Sequence, residues 1–178
     1  KKFKIDTFAG NYYNISHSNL NNSETNTFQI IKNDEVQHSR FSLINNTIIT
    51  SPTKNDWDLL FSQYPHLFND PTTPAYLVTG VLINQENEIE VAIDTVNNFN
   101  DIIFSNINDY IFNKNQDFIG YDWKVYNHEN GYFTINSNIN YILKNIEGRY
   151  FKIRFIDFYN EIGVKGYPTF EVQEILPV

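Results

Sequence analysis

The sequence predicts a mostly-β fold carrying one or two short helices, and three observations predict it. Ile89, Val91 and Ile93 alternate with Glu90, Ala92 and Asp94, the period of two expected where one sheet face is buried. Phe151, Ile153 and Phe155 alternate with Lys152 and Arg154 in the same way. The third is the aromatic content: 15 Phe and 12 Tyr in 178 residues supply a packed core without help from disulfides, since there is no cysteine. A chain of this length buries roughly 70% of its unfolded surface as one domain, and residues 1–178 are read as one.

From the N-terminus, residues 1–35 read as an extension. Within it, residues 16–26 carry almost no apolar content and no periodicity, which marks a polar loop that holds His17 in solvent. Strands are expected at Phe28–Lys32, Glu35–Leu43 and Trp57–Gln63, and Pro71 with Pro74 marks a loop. Val81–Ile83 and the Ile89 run flank Asn84-Gln85-Glu86-Asn87, a polar linker of hairpin length, so those two runs are expected to pair. Phe99, Ile102, Ile103 and Ile107 follow a spacing of three and four, which predicts a short helix between Asn98 and Tyr110 capping the sheet. A strand follows at Tyr121–Tyr126. Tyr141–Lys144 and Tyr150–Phe155 form a hairpin whose connection contains Gly148, suited to a positive φ, and Phe170–Ile175 is the last strand. Trp57, Trp123, Phe151, Ile153 and Phe155 are the expected core.

Composition excludes several functions. A net charge of −8 repels a phosphate backbone or an anionic bilayer, so nucleic acid is no partner. Absence of cysteine removes thiolate zinc sites, iron–sulfur clusters and covalent c-type haem. The chain has no Met, and Lys1 is expected to follow a processing site or other boundary from which an N-terminal segment was removed. No Gly-x-Ser-x-Gly elbow, phosphate-binding glycine loop or His-Glu-x-x-His motif is present, so the chain reads as non-enzymatic. Asp56 and Asp58 bracket Trp57. On a strand they would share a face, which suggests a glycosidase pair or a calcium site, against the plainer reading of a turn residue and a solvated neighbour.

Histidines are then the main candidates for a transition metal. His66 follows Pro65 at the end of the Trp57 strand, as a loop ligand or a surface residue. His38 lies in register with Val36 and reads as half-buried. His128 follows Trp123-Lys124-Val125-Tyr126 on the parity of Tyr126, so if Trp123 and Val125 face the core, His128 and Tyr126 point outward together, where a flat aromatic ligand could lie.

Three blocks resemble the HmuY-like family of outer-membrane haem-capturing lipoproteins. They are Trp57-Asp58-Leu59-Leu60-Phe61-Ser62-Gln63-Tyr64, then Trp123 to His128 with Gly131-Tyr132, then Tyr150 to Tyr159 with Gly163 and Lys165 to Phe170. The resemblance covers roughly residues 36–176. It implies a single domain with a large curved antiparallel sheet and a cleft, a lipidated N-terminal anchor at the cell surface, and haem delivery to a TonB-dependent transporter. On the matched motif, His128 is one axial ligand. The family's second ligand comes from a stretch that here, across residues 84–120, holds no histidine. Water, Tyr110, Tyr126, or a folded-in His38 or His66 are the alternatives for it. Two readings stand beside haem capture: an accessory or docking subunit of an outer-membrane transporter that binds no haem, and an aromatic-rich β-sandwich that binds glycans.

Overall fold

In the computed structural model, residues 1–68, 70–73 and 75–177 are described. About half of the chain is strand and about 5% helix, so the mostly-β expectation holds. Every strand pairing among the described residues is antiparallel. The chain divides into two compact units, Lys1–Asp56 and Trp57–Val178.

The first unit opens with a meander of β1 (Lys2–Ala9), β2 (Tyr12–Ser18) and β3 (Asn26–Ile31), followed by the short hairpin of β4 (Arg40–Ser42) and β5 (Thr47–Ile49). Two expectations fail here. Residues 16–18 belong to β2, and His17 is 2% exposed rather than solvated. Its ring stacks on Phe28 at 5.8 Å and meets Phe41 at 6.1 Å, so the neighbouring β3 and β4 cover a strand whose own sequence is polar. The strand expected at Glu35–Leu43 shrinks to Arg40–Ser42. Turns anchored by the Asn33 side chain and carbonyl occupy residues 33–36, and His38 is exposed rather than half-buried.

The second unit begins with β6 (Leu59–Leu67) paired to β7 (Ala75–Ile83). Trp57 precedes β6 and is half-buried, short of the core position expected of it. Of the expected proline loop, Pro71 lies in a turn and Pro74 falls outside the described residues. A four-stranded sheet follows in the order β13 (Lys165–Ile175), β12 (Tyr150–Tyr159), β11 (Asn140–Lys144), β8 (Glu90–Asp94). The β11–β12 hairpin forms as predicted, with Gly148 at φ +74° in its connection. β9 (Lys124–Asn127) and β10 (Tyr132–Ile135) form a separate hairpin.

The pairing expected between Val81–Ile83 and the Ile89 run does not occur, because residues 113–120 lie between them. Val81 exchanges backbone bonds with Gly120, and Val91 exchanges them with Asn113. The fully buried Asn84 turns the chain away from a hairpin path: its side chain donates to the Trp57 carbonyl at 2.8 Å and accepts from the Asn87 N–H at 3.3 Å.

The single buried face expected of the sheet is also corrected, since both faces are covered. Val91, Tyr141, Leu143, Ile153 and Phe155 face one cluster, completed by Trp123 and Phe158. Ala92, Ile142 and Ile175 face a second. Residues 98–110 cover that second face, but as two 3-10 turns, Phe99–Asp101 and Phe104–Asp109, rather than an amphipathic α-helix. Phe99, Ile102 and Ile107 are buried while Ile103 is exposed. Lys152 fastens the segment down: its buried ammonium donates to the carbonyls of Phe99 at 2.7 Å and Ile102 at 3.0 Å. Phe151, also expected in the core, is half-buried against the first cluster.

Candidate functional site

Two groups of side chains in the second unit carry ligand chemistry. The first is at the end of the β9–β10 hairpin, where the chain reverses through residues 128–131. Asn127 holds the reversal with its side-chain oxygen, which accepts from the Glu129 N–H at 2.8 Å, and Gly131 takes φ +73°. His128 is exposed in this turn, and its imidazole meets the Tyr126 ring edge-on at 4.9 Å. Tyr126 in turn contacts Phe133 across the hairpin at 4.9 Å, and Phe133 reaches Phe158 at 5.2 Å. An aromatic path therefore runs from the exposed histidine to the core.

The inward residue of β9 is not the one expected. Trp123 is 1% exposed in the turn before the strand, Lys124 is buried, and Val125 is 55% exposed. The strand starts at Lys124, so that side chain points inward, its ammonium donating to the Thr79 carbonyl. Burial pushes the Lys124 ammonium down to about 8. Three rings partly replace the lost water: Trp123, Phe158 and Phe133, with centroids at 4.4, 5.0 and 5.5 Å.

The second group lies on one face of β6. Tyr64 and His66 are half-buried, whereas Gln63, Pro65 and Leu67 point the other way and are exposed. The strand expected at Trp57–Gln63 instead runs through Pro65 to Leu67, which puts His66 on a strand rather than in a loop. The 113–120 segment supplies Asp117, whose Oδ2 lies 3.6 Å from His66 Nδ1, and Tyr121 follows it. The His66 ring is flanked edge-on by Phe68 at 4.8 Å and Tyr121 at 5.1 Å. Two glycines make this approach possible. A Cβ on Gly80 would land 2.7 Å from the Gly120 carbonyl carbon and 3.1 Å from Tyr64 Cε1, so only bare backbone lets the segment and the Tyr64 ring close over β7.

The phenols of this group stay protonated at neutral pH. Burial, then Asp117, Tyr121 and Asp122, push Tyr64 up to about 12. Burial, Asp122 and Asp117 raise Tyr121 as well. The Tyr64 hydroxyl is buried with no hydrogen-bond partner among the described residues. The imidazole of His66 is the group's nitrogen donor.

Other sequence candidates are placed elsewhere. His38 belongs to the first unit. Tyr110 donates to Asp94, which also accepts from the N–H groups of Val96 and Asn97. Burial, with that bond and the Asp94 charge, raises the Tyr110 phenol. It is committed to structure, not poised as a ligand. Asp56 and Asp58 precede β6, so the shared strand face that suggested an acid pair does not exist, and Asp58 bonds the Asn87 amide at 3.3 Å. Among the described residues no group of three or more His, Asp or Glu could hold a bare metal ion.

A haem instead asks for one or two lone donors beside aromatic surface. The residues fit that demand: His128 and His66 are each a single imidazole among rings, and the orphaned Tyr64 hydroxyl sits beside the second. Sequence reasoning missed Asp117, Tyr121 and Tyr64. The alternation Tyr64-x-His66-x-Phe68 was the available signal for the last.

No helix among the described residues is long and apolar enough to cross a membrane. Neither the curated proteins nor the solved structures compared yielded a match. Family comparison matches residues 11–172 to the family described as HmuY protein, a wider span than the three sequence blocks covered and one that takes in part of the first unit. With nearly the whole chain matched, this protein belongs to the HmuY family.

Proposed function

We propose that this protein captures haem or a related porphyrin at the cell surface and delivers it to a TonB-dependent outer-membrane transporter, with His128 as an iron ligand. The observation that carries the reading is the exposed His128 imidazole set edge-on against Tyr126 on a hairpin anchored to the core. Family membership supports it, since the family is one of binding proteins associated with haem. When bound, a ferric porphyrin would be held at its iron by the His128 imidazole, with Tyr126 offering it an apolar ring surface. The protein's part is to hold the donor still: Asn127 and Gly131 fix the turn, and Phe133 fixes the Tyr126 ring.

A second reading is favoured by one feature of the same residue. Among the described residues none hydrogen-bonds the His128 ring, whereas ligating histidines usually have their second nitrogen oriented by a partner. A docking subunit that has given up haem would look the same. Titration of the folded chain with haemin, followed by the Soret band, separates the two. Haem capture predicts a stoichiometric shift that His128→Ala weakens at least about tenfold, roughly 1.4 kcal/mol. No shift in the parent chain supports the docking subunit.

A further inference from the structure

We propose that His66 is itself an iron-porphyrin ligand through Nε2, with Asp117 as its positioning residue; this rests on the haem reading above and adds a donor to it. Three observations converge. First, His66 is the histidine of the second unit with a carboxylate on its ring, Asp117 Oδ2 lying 3.6 Å from Nδ1. At 3.6 Å the pair is an electrostatic contact rather than a closed hydrogen bond; a carboxylate beside Nδ1 favours the tautomer that carries its proton there and leaves Nε2 as a lone-pair donor, the arrangement that metal-ligating histidines use. No described residue hydrogen-bonds Nε2, and the side chain keeps 28% of its exposure, enough for a ligand to reach it.

Second, the surroundings are apolar and flat. Phe68 and Tyr121 stand nearly perpendicular to the imidazole, at 75° and 78°, and Tyr76 lies directly across the β6–β7 ladder from His66. Aromatic surface of this kind gains by covering a macrocycle and loses little by uncovering water. Third, the hydroxyl of Tyr64, two residues back on the same strand face, is buried without a partner. A buried hydroxyl left unbonded is costly, and a polar ligand edge is one group that would relieve it.

Among the described residues no lysine or arginine pairs with Asp117, which leaves the imidazole as its ionisable partner. It reaches His66 only because the 113–120 segment is seated on β7 through the Gly80–Gly120 approach. The pair therefore joins two elements distant in sequence.

The test uses the full chain and five titrations with haemin, of the parent, His66→Ala, His66→Gln, Asp117→Asn and His128→Ala, each repeated with iron-free protoporphyrin IX. In the parent, haemin should bind with a Soret shift. His66→Ala should weaken haemin at least about tenfold while leaving protoporphyrin IX unchanged, because only the iron needs Nε2. Asp117→Asn should weaken haemin by a smaller factor, roughly ten at most, and alter the visible ligand-field bands, which a purely structural carboxylate would not do. His66→Gln, which keeps polarity and most of the volume, should match His66→Ala and answers the case in which the alanine variant folds poorly by circular dichroism. Haemin binding that survives both His66 variants but fails in His128→Ala overturns this inference and leaves haem capture standing. Equal loss of haemin and protoporphyrin IX in the His66 variants also overturns it, since the effect would be packing rather than ligation. No haemin binding in the parent overturns both proposals.

Discussion

The Lys124 ammonium lies 4.4 Å from the centre of the Trp123 indole, its own chain neighbour, and both side chains are buried. Burial holds that ammonium down at about 8 in the folded chain, against about 10.4 for a free lysine. Between those pH values the unfolded chain binds a proton that the folded chain has released, so stability rises with pH. Below pH 8 both states are protonated and the penalty is constant. Tyr64 works in the opposite direction: its phenol is raised to about 12, so its contribution is complete below pH 10 and fades above. Chemical unfolding at stepped pH should therefore show stability climbing from about pH 8 to about 10, by less than about 3 kcal/mol, and then turning over. In Lys124→Met the climb should shrink to the part that the buried Lys152 ammonium, also lowered by burial, contributes, and a flat curve in the parent would contradict the account.

Phe155 stacks on Trp123 at 4.2 Å and also touches Tyr141, Phe61 and Phe170. Truncation to alanine leaves a cavity bounded by rings that cannot collapse into it. Phe155→Ala should cost about 3–5 kcal/mol in urea unfolding. Melting like the parent would mean that the first cluster is not the core of this unit.

Two carbonyls of the 99–107 segment, those of Phe99 and Ile102, accept from the Lys152 ammonium beneath it. Lys152→Met keeps the aliphatic stem and removes the donor, stranding the Phe99 and Ile102 oxygens. A loss of about 2–3 kcal/mol is expected, with faster amide exchange across residues 99–107 than in β11. Uniform exchange changes across the unit would argue against a local fastening role.

His17 presents the reverse situation in the first unit, with both ring nitrogens buried and unbonded among the described residues. His17→Leu removes those groups and keeps an apolar contact for Phe28 and Phe41. Stability of this unit, read by exchange of the β2 amides, should stay level or rise by about 1 kcal/mol. A marked loss would show that the imidazole has a polar role that its packing conceals.

What the sequence revealed was whatever depends on neighbours along the chain. The β11–β12 hairpin was legible because alternation and Gly148 specify it within 15 residues. The β7–β8 pairing was misread because its breaker, residues 113–120, lies some 30 residues further on and bonds to both strands. His17 was misread because Ser16-His17-Ser18 is polar by sequence, and only Phe28 and Phe41 from later strands bury it. At the site His128 and Tyr126 are exposed, but not by the parity the sequence suggests: Lys124, on the parity of Tyr126, is buried and Val125 is exposed, since β9 begins one residue after Trp123. Asp117 could not have been found at all: nothing in its local sequence says that it will stand beside a histidine 51 residues earlier.

The Gly80–Gly120 approach has a bearing on how such a chain can change over time. A contact made by side chains can drift, one partner shrinking as the other grows, because volume can be traded between them. Two bare backbones have no volume to trade. Gly80 sits in a fully extended ladder with room for neither a methyl group nor a shift, and Gly120 answers it at φ +57°. Random substitution should therefore divide this region sharply: Phe68, Tyr76 and Tyr121 can vary among rings, whereas positions 80 and 120 admit no gradual path. Side chains around this contact can change freely while the backbone approach at its centre stays fixed.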